Sequence, residues 1–475
     1  MEGYLRTVGE QIRWKRARPV VLRELGQHLA DQRDAFAAEG KTSEDAERLA
    51  VEEMGDPVII GTELDRVHRP KPQWGLLMMT MALALAGGSL RIWAAIAGEA
   101  YPLGDVIRTA VALAEGTVCL LVAYFLDYTC LLRHARWVYG GALVLGLLSL
   151  RLSPNINNAS YYTRYVVLLY PTVYAVWLYD CRGKRWKGLA FTLLGGIPLA
   201  AVACLAPYTM GLLLMMIVGF ILLLTAAGAD WFGIGRGKTT AAVLGIGAAL
   251  AGCAAWRFWK HGFTRSRLLL FLHPEVDPLG AGYQAVMVRK TLAVSRWLGT
   301  GDWSAVGVLD SYEWTVPAWE TDFLLTTMIY RLGWLPFLLL VLAAAGLLVW
   351  LFRKCLRQRN QAGRLIALSV AVLLGVQMVC SVLMNLGYVL FAAAMPLIVG
   401  NLASVVTMGL IGLTLSVFRE EQIVPDTIPL GKAGRRIRIS FRRERDLESG
   451  DLRLEAAVTL PRSETVVEPA TAAKD

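Results

Sequence analysis

Charged side chains are what this chain has least of. Asp, Glu, Lys and Arg make up 18% of its 475 residues, against roughly one quarter in a soluble protein. With 55% of residues hydrophobic, a water-soluble domain is excluded and an all-α polytopic membrane protein is expected. Histidine is scarce as well, with five in the chain. His28 and His68 stand without partner ligands, and no chemistry is assigned to them. The seven cysteines (Cys119, Cys130, Cys181, Cys204, Cys253, Cys355, Cys380) show neither paired nor metal-ligand spacing. Free thiols and no disulfide framework are therefore expected. A cleavable leader is not expected either, because the first apolar run begins only at Trp74.

The net charge of +10 does not imply nucleic acid. Much of the Lys and Arg lies in short loops between apolar runs, where it sets topology, or in the two ends.

Residues 1–73 are expected to form a small cytoplasmic helical domain. Leu5, Val8 and Ile12, then Val21, Leu25 and Leu29, recur at helical spacing, with Pro19 suited to a first turn. Gly40 is placed to end that helix. Thr42 with Asp45 resembles a capping box, and Asp56-Pro57 reads as an N-cap with a first-turn proline. The stretch Glu52-Glu53-Met54-Gly55-Asp56-Pro57, with Ala46 and Ala50 before it, resembles the permease-prefix domain of various bacterial membrane proteins. That resemblance implies a cytoplasmic partner for residues 1–73; a helical appendage without activity of its own is the other reading.

From Trp74 onward the apolar runs are long enough to cross a hydrocarbon core of ~30 Å. About ten transmembrane helices are expected, at 74–97, 105–127, 136–153, 161–179, 188–206, 208–229, 239–257, 333–352, 365–386 and 389–417. Basic residues fall in every second short loop: Arg133 and Arg136, Arg182 to Lys187, Arg236 and Lys238, Arg353 to Arg364. This pattern puts both termini in the cytoplasm and the long segment 257–332 outside. Residues 418–475 are expected as a basic cytoplasmic tail, partly disordered, with a short strand pair at Ile437–Phe441 and Leu452–Val458.

The polar segment interrupts a scaffold that is otherwise soluble in lipid, which is where a membrane protein places its chemistry. It reads Arg267, then Phe271-Leu272-His273-Pro274-Glu275-Val276-Asp277-Pro278-Leu279-Gly280-Ala281-Gly282-Tyr283-Gln284, then Gly299-Thr300-Gly301, then Pro317 through Thr321-Asp322-Phe323. Taken alone, Asp322 fits either a catalytic carboxylate or an acid that starts the next helix. Pro274, Pro278, Gly282, Gly299, Gly301 and Pro317 read as shaping the loop. Trp297, Trp303, Trp314 and Trp319 suit a headgroup boundary.

The order and spacing of these residues resemble the SEDS family of bacterial cell-wall proteins (FtsW, RodA, SpoVE). Its loop runs R-x-x-x-F-L-x-P-x-x-D-P-x-G-x-G-Y-Q, then G-x-G, then P-x-x-x-T-D-F, between the seventh and eighth of ten spans. The resemblance covers residues 74–417. It implies a peptidoglycan glycosyltransferase that polymerises lipid II into nascent glycan at the outer face of the bacterial cytoplasmic membrane, in division, elongation or sporulation. Its usual partner is a class B penicillin-binding transpeptidase. The family's key aspartate falls on Asp322, expected as general base towards the acceptor sugar hydroxyl. Arg267 is expected to face the diphosphate, and Thr321, Gln377 and Asn385 to complete the substrate-binding set. A divalent cation, Mg²⁺ or Mn²⁺, is the cofactor this chemistry admits, with no ligand assigned.

Several family positions have changed. Tyr330-Arg331 stands where two acids are usual. Pro171-Thr172-Val173 with Val176 replaces P-S-E and its lysine, and Tyr208 stands at the acid of Q-P-D-x-G. Gln377 and Asn385 survive. Intramembrane ionisable groups are normally kept for function. Their loss leaves two other functions open: a non-catalytic scaffold or regulator of a transpeptidase, and a transporter of lipid-linked precursors. Arg91, Arg108, Glu115 and Asp127 lie in or near spans, as groove-lining or as snorkelling residues.

Overall fold

The computed structural model describes residues 1–14, 17–68, 70–97, 102–156, 159–260, 262–307, 316, 319, 321–358, 360–390, 392–393, 395–397, 402–420, 438–445 and 452–459. Residues 1–426 form one compact unit and 427–475 a second.

The chain opens with four amphipathic helices, α1 (Glu2–Gln11), α2 (Arg18–Ala38), α3 (Ser43–Met54) and α4 (Pro57–His68). Val8, Ile12, Val21, Leu25, Leu29 and Ala50 are buried together, one apolar residue per turn from each facing stripe. Thr42 accepts the Asp45 amide at 3.2 Å, and Asp56 accepts the Val58 amide at 2.7 Å. Both are N-caps that satisfy otherwise orphaned donors.

The lipid-soluble part follows with α5 (Trp74–Ala97), α6 (Pro102–Phe125), a short α7 (Tyr128–Arg133) and α8 (Ala135–Leu152). A two-residue hairpin, β1 (Asn155–Ile156) and β2 (Ala159–Ser160), leads to α9 (Thr163–Val167) and α10 (Tyr170–Asp180). Then come α11 (Arg185–Leu205), α12 (Thr209–Gly228), α13 (Arg236–Lys260), α14 (Gly262–Leu272), α15 (Tyr283–Ala293) and α16 (Leu324–Leu332). The unit ends with α17 (Trp334–Arg357), α18 (Gln361–Asn385) and α19 (Leu402–Arg419). Among the described residues, seven helices are long and apolar enough to cross a bilayer by themselves.

Two expected spans differ from the structure. The one at 161–179 is split into α9 and α10, and α10, at 11 residues, rises only about 16 Å. Pro171 lies in its first turn; lacking an N–H, proline starts a helix and cannot continue the preceding one. In the one at 389–417 the described helix is Leu402–Arg419. Gly387 adopts φ +84° just past α18, a left-handed stop that favours glycine, and Pro396 lies beyond it.

Helix α18 is the most buried of the seven and serves as the axis. The Ser369 hydroxyl donates to Thr172 Oγ1 of α10 at 3.2 Å. Helices α6 and α19 pack closely because Gly116, Gly409 and Gly412 lie at their contact, where a Cβ on Gly412 would overlap the Leu120 carbonyl. Large apolar side chains such as Leu148, Ile197, Leu339 and Leu342 face outward, as they must towards lipid. The second unit contains an antiparallel pair, β3 (Arg438–Arg445) and β4 (Leu452–Thr459), in register from Arg438↔Thr459 to Arg445↔Leu452. The expected irregular end of the tail falls outside the described residues.

Candidate functional site

The polar segment is folded onto the bundle, not draped over it. Val286 and Val288 of α15 and Phe323, Leu325 and Ile329 around α16 are buried with Leu90 and Ala94 of α5, Phe337 of α17 and Met384 of α18. Gly299 and Gly301 donate their amides to the Leu332 and Tyr330 carbonyls at 2.9 and 2.7 Å, so this stretch runs along the last turn of α16. Gly299 has φ +84°, a conformation costly for other residues. The Gly282 amide bonds to the Asp277 carbonyl at 3.0 Å, and a Cβ at Gly282 would run into the Pro274 carbonyl. Pro274 is buried beneath this turn and Pro278 is exposed; Pro317 lies outside the described residues.

Asp322 is placed directly before α16 by a polar clamp from α18. Asn385 Nδ2 donates to the Asp322 carbonyl at 3.1 Å and to the Ser381 carbonyl at 3.0 Å. Its Oδ1 accepts the Thr326 amide at 2.9 Å and the Thr326 hydroxyl at 3.0 Å. Next to it, the Thr327 hydroxyl donates to the Trp319 carbonyl at 2.8 Å. Asn385, Thr326 and Thr327 are buried, so each of these bonds replaces one that water would otherwise supply.

The Asp322 side chain stays exposed while protein surrounds it at longer range, the situation of a group in the mouth of a cleft. Desolvation raises its carboxyl above the usual range, and Arg164 and then Arg91 pull it back down. Arg164 belongs to α9. Its guanidinium stacks over Tyr161 at 4.3 Å and Tyr165 at 4.8 Å, and Nη2 donates to the Tyr165 hydroxyl at 2.7 Å. Tyr208, at the start of α12, lies in the field of both Arg164 and Asp322, and Arg108 acts on Tyr161. Among the described residues, Asp322 is thus a carboxylate in a surrounding of arginines and tyrosines. Such a site suits an anionic substrate with an acidic hydroxyl or a leaving diphosphate.

The structure brings Asp322 and Asn385 together, with Thr321 exposed beside them. Gln377 is buried two turns deeper in α18, its Oε1 without a hydrogen-bond partner. Arg267 is exposed on α14, whereas the cations that act on Asp322 are Arg164 and Arg91. Sequence reasoning passed over Arg164. Its signal was an arginine between tyrosines, Tyr161-Tyr162-Thr163-Arg164-Tyr165, just before the proline of a span. The boundary role expected for Trp319 is also corrected, since it is buried in the core, with Arg331 5.6 Å from its ring.

No group of three or more His, Cys, Asp or Glu that could hold a metal occurs among the described residues. Among the described residues, Asp322 opposed by Arg164 and Arg91 does not by itself fit a protein-held divalent cation.

The model of the cell cycle protein family FtsW/RodA/SpoVE matches residues 74–423. A probable peptidoglycan glycosyltransferase FtsW of Alkalilimnicola ehrlichii is 26% identical over 347 residues, 66% of this chain and 80% of that protein. One of Idiomarina loihiensis is 30% identical over 149 residues, 27% of this chain; the match spans about a third (35%) of that relative. A solved chain from a study of the structural coordination of polymerization and crosslinking by a peptidoglycan synthase complex aligns with TM-score 0.58 at 23% identity. That alignment covers 74% of this chain and 98% of the other. The family match takes in the whole membrane-embedded body and the Asp322 segment, and the chain is therefore an integral membrane protein of the FtsW/RodA/SpoVE family.

Proposed function

We propose that the chain is a peptidoglycan glycosyltransferase that polymerises lipid II at the outer face of the cytoplasmic membrane, with both termini in the cytoplasm. The observation that carries this reading is the setting of Asp322: a carboxylate with a raised pKa, between Arg164 and Arg91, on a backbone clamped by Asn385. A carboxylate shifted toward neutrality is matched to accepting a proton from a sugar hydroxyl. As Asp322 takes that proton, the acceptor oxygen forms the glycosidic bond to the donor's anomeric carbon. The bond from that carbon to the lipid diphosphate breaks, and the diphosphate leaves with the electron pair. Arg164 and Arg91 stabilise the charge that develops there. Any divalent cation enters as part of the diphosphate substrate, and no step runs through one here.

A class B transpeptidase is the proposed partner, supported by the likeness to a chain from a complex that couples polymerization to crosslinking. The test is polymerisation of labelled lipid II by purified protein, with and without that partner, for wild type and Asp322→Ala. Polymer that disappears in the variant supports the reading. Polymer indifferent to the variant removes Asp322 from catalysis, and none from folded protein under any condition favours a scaffold. For topology, an impermeant maleimide should label Asp302→Cys from outside and leave Lys184→Cys untouched.

A further inference from the structure

We propose that an apolar groove between α5, α16 and α17 seats the isoprenoid tail of the lipid-linked substrate, with its diphosphate towards Arg331. This rests on the glycosyltransferase reading and adds where the lipid enters. The groove has a volume of 310 Å³. Ala86, Ser89, Leu90 and Trp93 of α5, Met328 and Leu332 of α16 and Leu340 of α17 line it. Residues 86, 89 and 93 recur at helical spacing and share one face of α5. The small side chains at 86 and 89, both exposed, leave the space that larger residues would fill.

The lining selects the occupant. Apart from the Ser89 hydroxyl and the Trp93 indole N–H, the side chains lining the groove are apolar. A sugar or peptide held there would lose its hydrogen bonds to water without replacement, and a hydrocarbon loses nothing. From Ala86 to Trp93 the helix rises about 10 Å, about the width of one helix, which is too short to seat a partner's transmembrane helix along its length.

Charge then distinguishes a lipid diphosphate from bulk phospholipid. Arg331 stands 6.0 Å from the Trp93 ring and 5.6 Å from Trp319. Arg91, two residues before Trp93 and so on another face of α5, is buried and acts on Asp322 instead. A cation at the Trp93 end favours a diphosphate over a phosphodiester, which carries less charge. A tail in the groove therefore brings its diphosphate to Arg331, on the helix that Asp322 precedes. Arg331, which stands where family acids are usual, gains a role in this arrangement.

The test uses the full-length protein in phosphatidylcholine vesicles and a benzophenone-bearing prenyl diphosphate as photoprobe. Crosslinks are expected on peptides containing Met328 or Leu340. Undecaprenyl diphosphate should compete, and added phosphatidylglycerol at the same mole fraction should not. Filling the groove with Ser89→Trp or, independently, Leu340→Trp should lower crosslinking about tenfold or more. Crosslinks elsewhere, equal competition by phosphatidylglycerol, or indifference to both folded variants would overturn the proposal. Crosslinking needs no turnover, so a protein that fails to polymerise lipid II still answers this question.

Discussion

Asn385 on α18 donates its side-chain amide to the backbone carbonyl of Asp322 at 3.1 Å. The contact joins the most buried helix of the bundle to the residue that carries the chemistry. The same side chain accepts from the Thr326 amide and hydroxyl, so one residue orders the whole first turn of α16. Asn385→Ala removes the acceptor of the Thr326 amide and the donor to the Asp322 carbonyl, while the Thr326 hydroxyl keeps the Asn385 backbone carbonyl at 2.9 Å; each group left without a partner costs about 1–3 kcal/mol. The expected outcome is a lower melting temperature together with a fall in kcat larger than any rise in KM for lipid II. A loss of stability with kcat intact would reduce Asn385 to a packing residue.

The carboxyl of Asp322 is raised by desolvation, with Arg164 and Arg91 opposing, and this sets two pH dependences. A base must be ionised, so polymerisation should fall on acidification at a higher pH than an ordinary carboxylate would give. Stability runs the other way. A folded-state pKa above the unfolded value favours the native state below the unfolded pKa, and that contribution is lost as pH rises through the folded pKa. Asp322→Asn should therefore raise the melting temperature more at pH 8 than at pH 4, while abolishing polymer. Equal shifts at both pH values would argue against a raised carboxyl.

Arg164 lowers the Asp322 carboxyl and is held by its stacking on Tyr161 and Tyr165. Removing the cation in Arg164→Ala should push the acidic limb of the pH profile further up and raise KM. Arg164→Lys keeps the charge without the planar stack, so the limb should move less while the KM effect persists. A profile unmoved by either substitution would place Arg164 outside the field of the base.

What was legible in the sequence follows from which features are local. Residues such as Leu25 and Leu29, or the long run at Trp334–Arg357, declare a helix by periodicity or length alone. The Asp322 motif was legible because its order and spacing are carried in one segment. The division of α9 from α10 was half visible in Pro171, but a long apolar run hid it. Arg164 was not legible as a site residue, because its partnership with Asp322 crosses more than 150 positions of chain and exists only once α9 packs near the start of α16. Arg91 was noticed and left open for the same reason: burial beside a carboxylate distinguishes a functional arginine from a snorkelling one, and burial is a property of the fold. The assignment of Arg267 to the diphosphate followed motif order, which does not report which cation the helices bring inward.

Gly282 offers a last check on how far the catalytic segment depends on the turn before α15. Its amide closes on the Asp277 carbonyl at 3.0 Å, and a Cβ there would meet the Pro274 carbonyl. Backbone cannot move aside as a flexible side chain can, so Gly282→Ala should cost about 1–3 kcal/mol, the range for overpacking a well-packed site. Helix α15 shares a core with α16 through Val286 and Val288, so displacement of the turn should reach Asp322 and lower polymerisation along with the melting temperature. Gly280→Ala meets the Asp277 carboxylate first, a side chain that can rotate away at the expense of its hydrogen bond from the Ala281 amide, and should cost less on both measures. If the two substitutions behaved alike, the rigid turn would not be what holds α15 in register with α16.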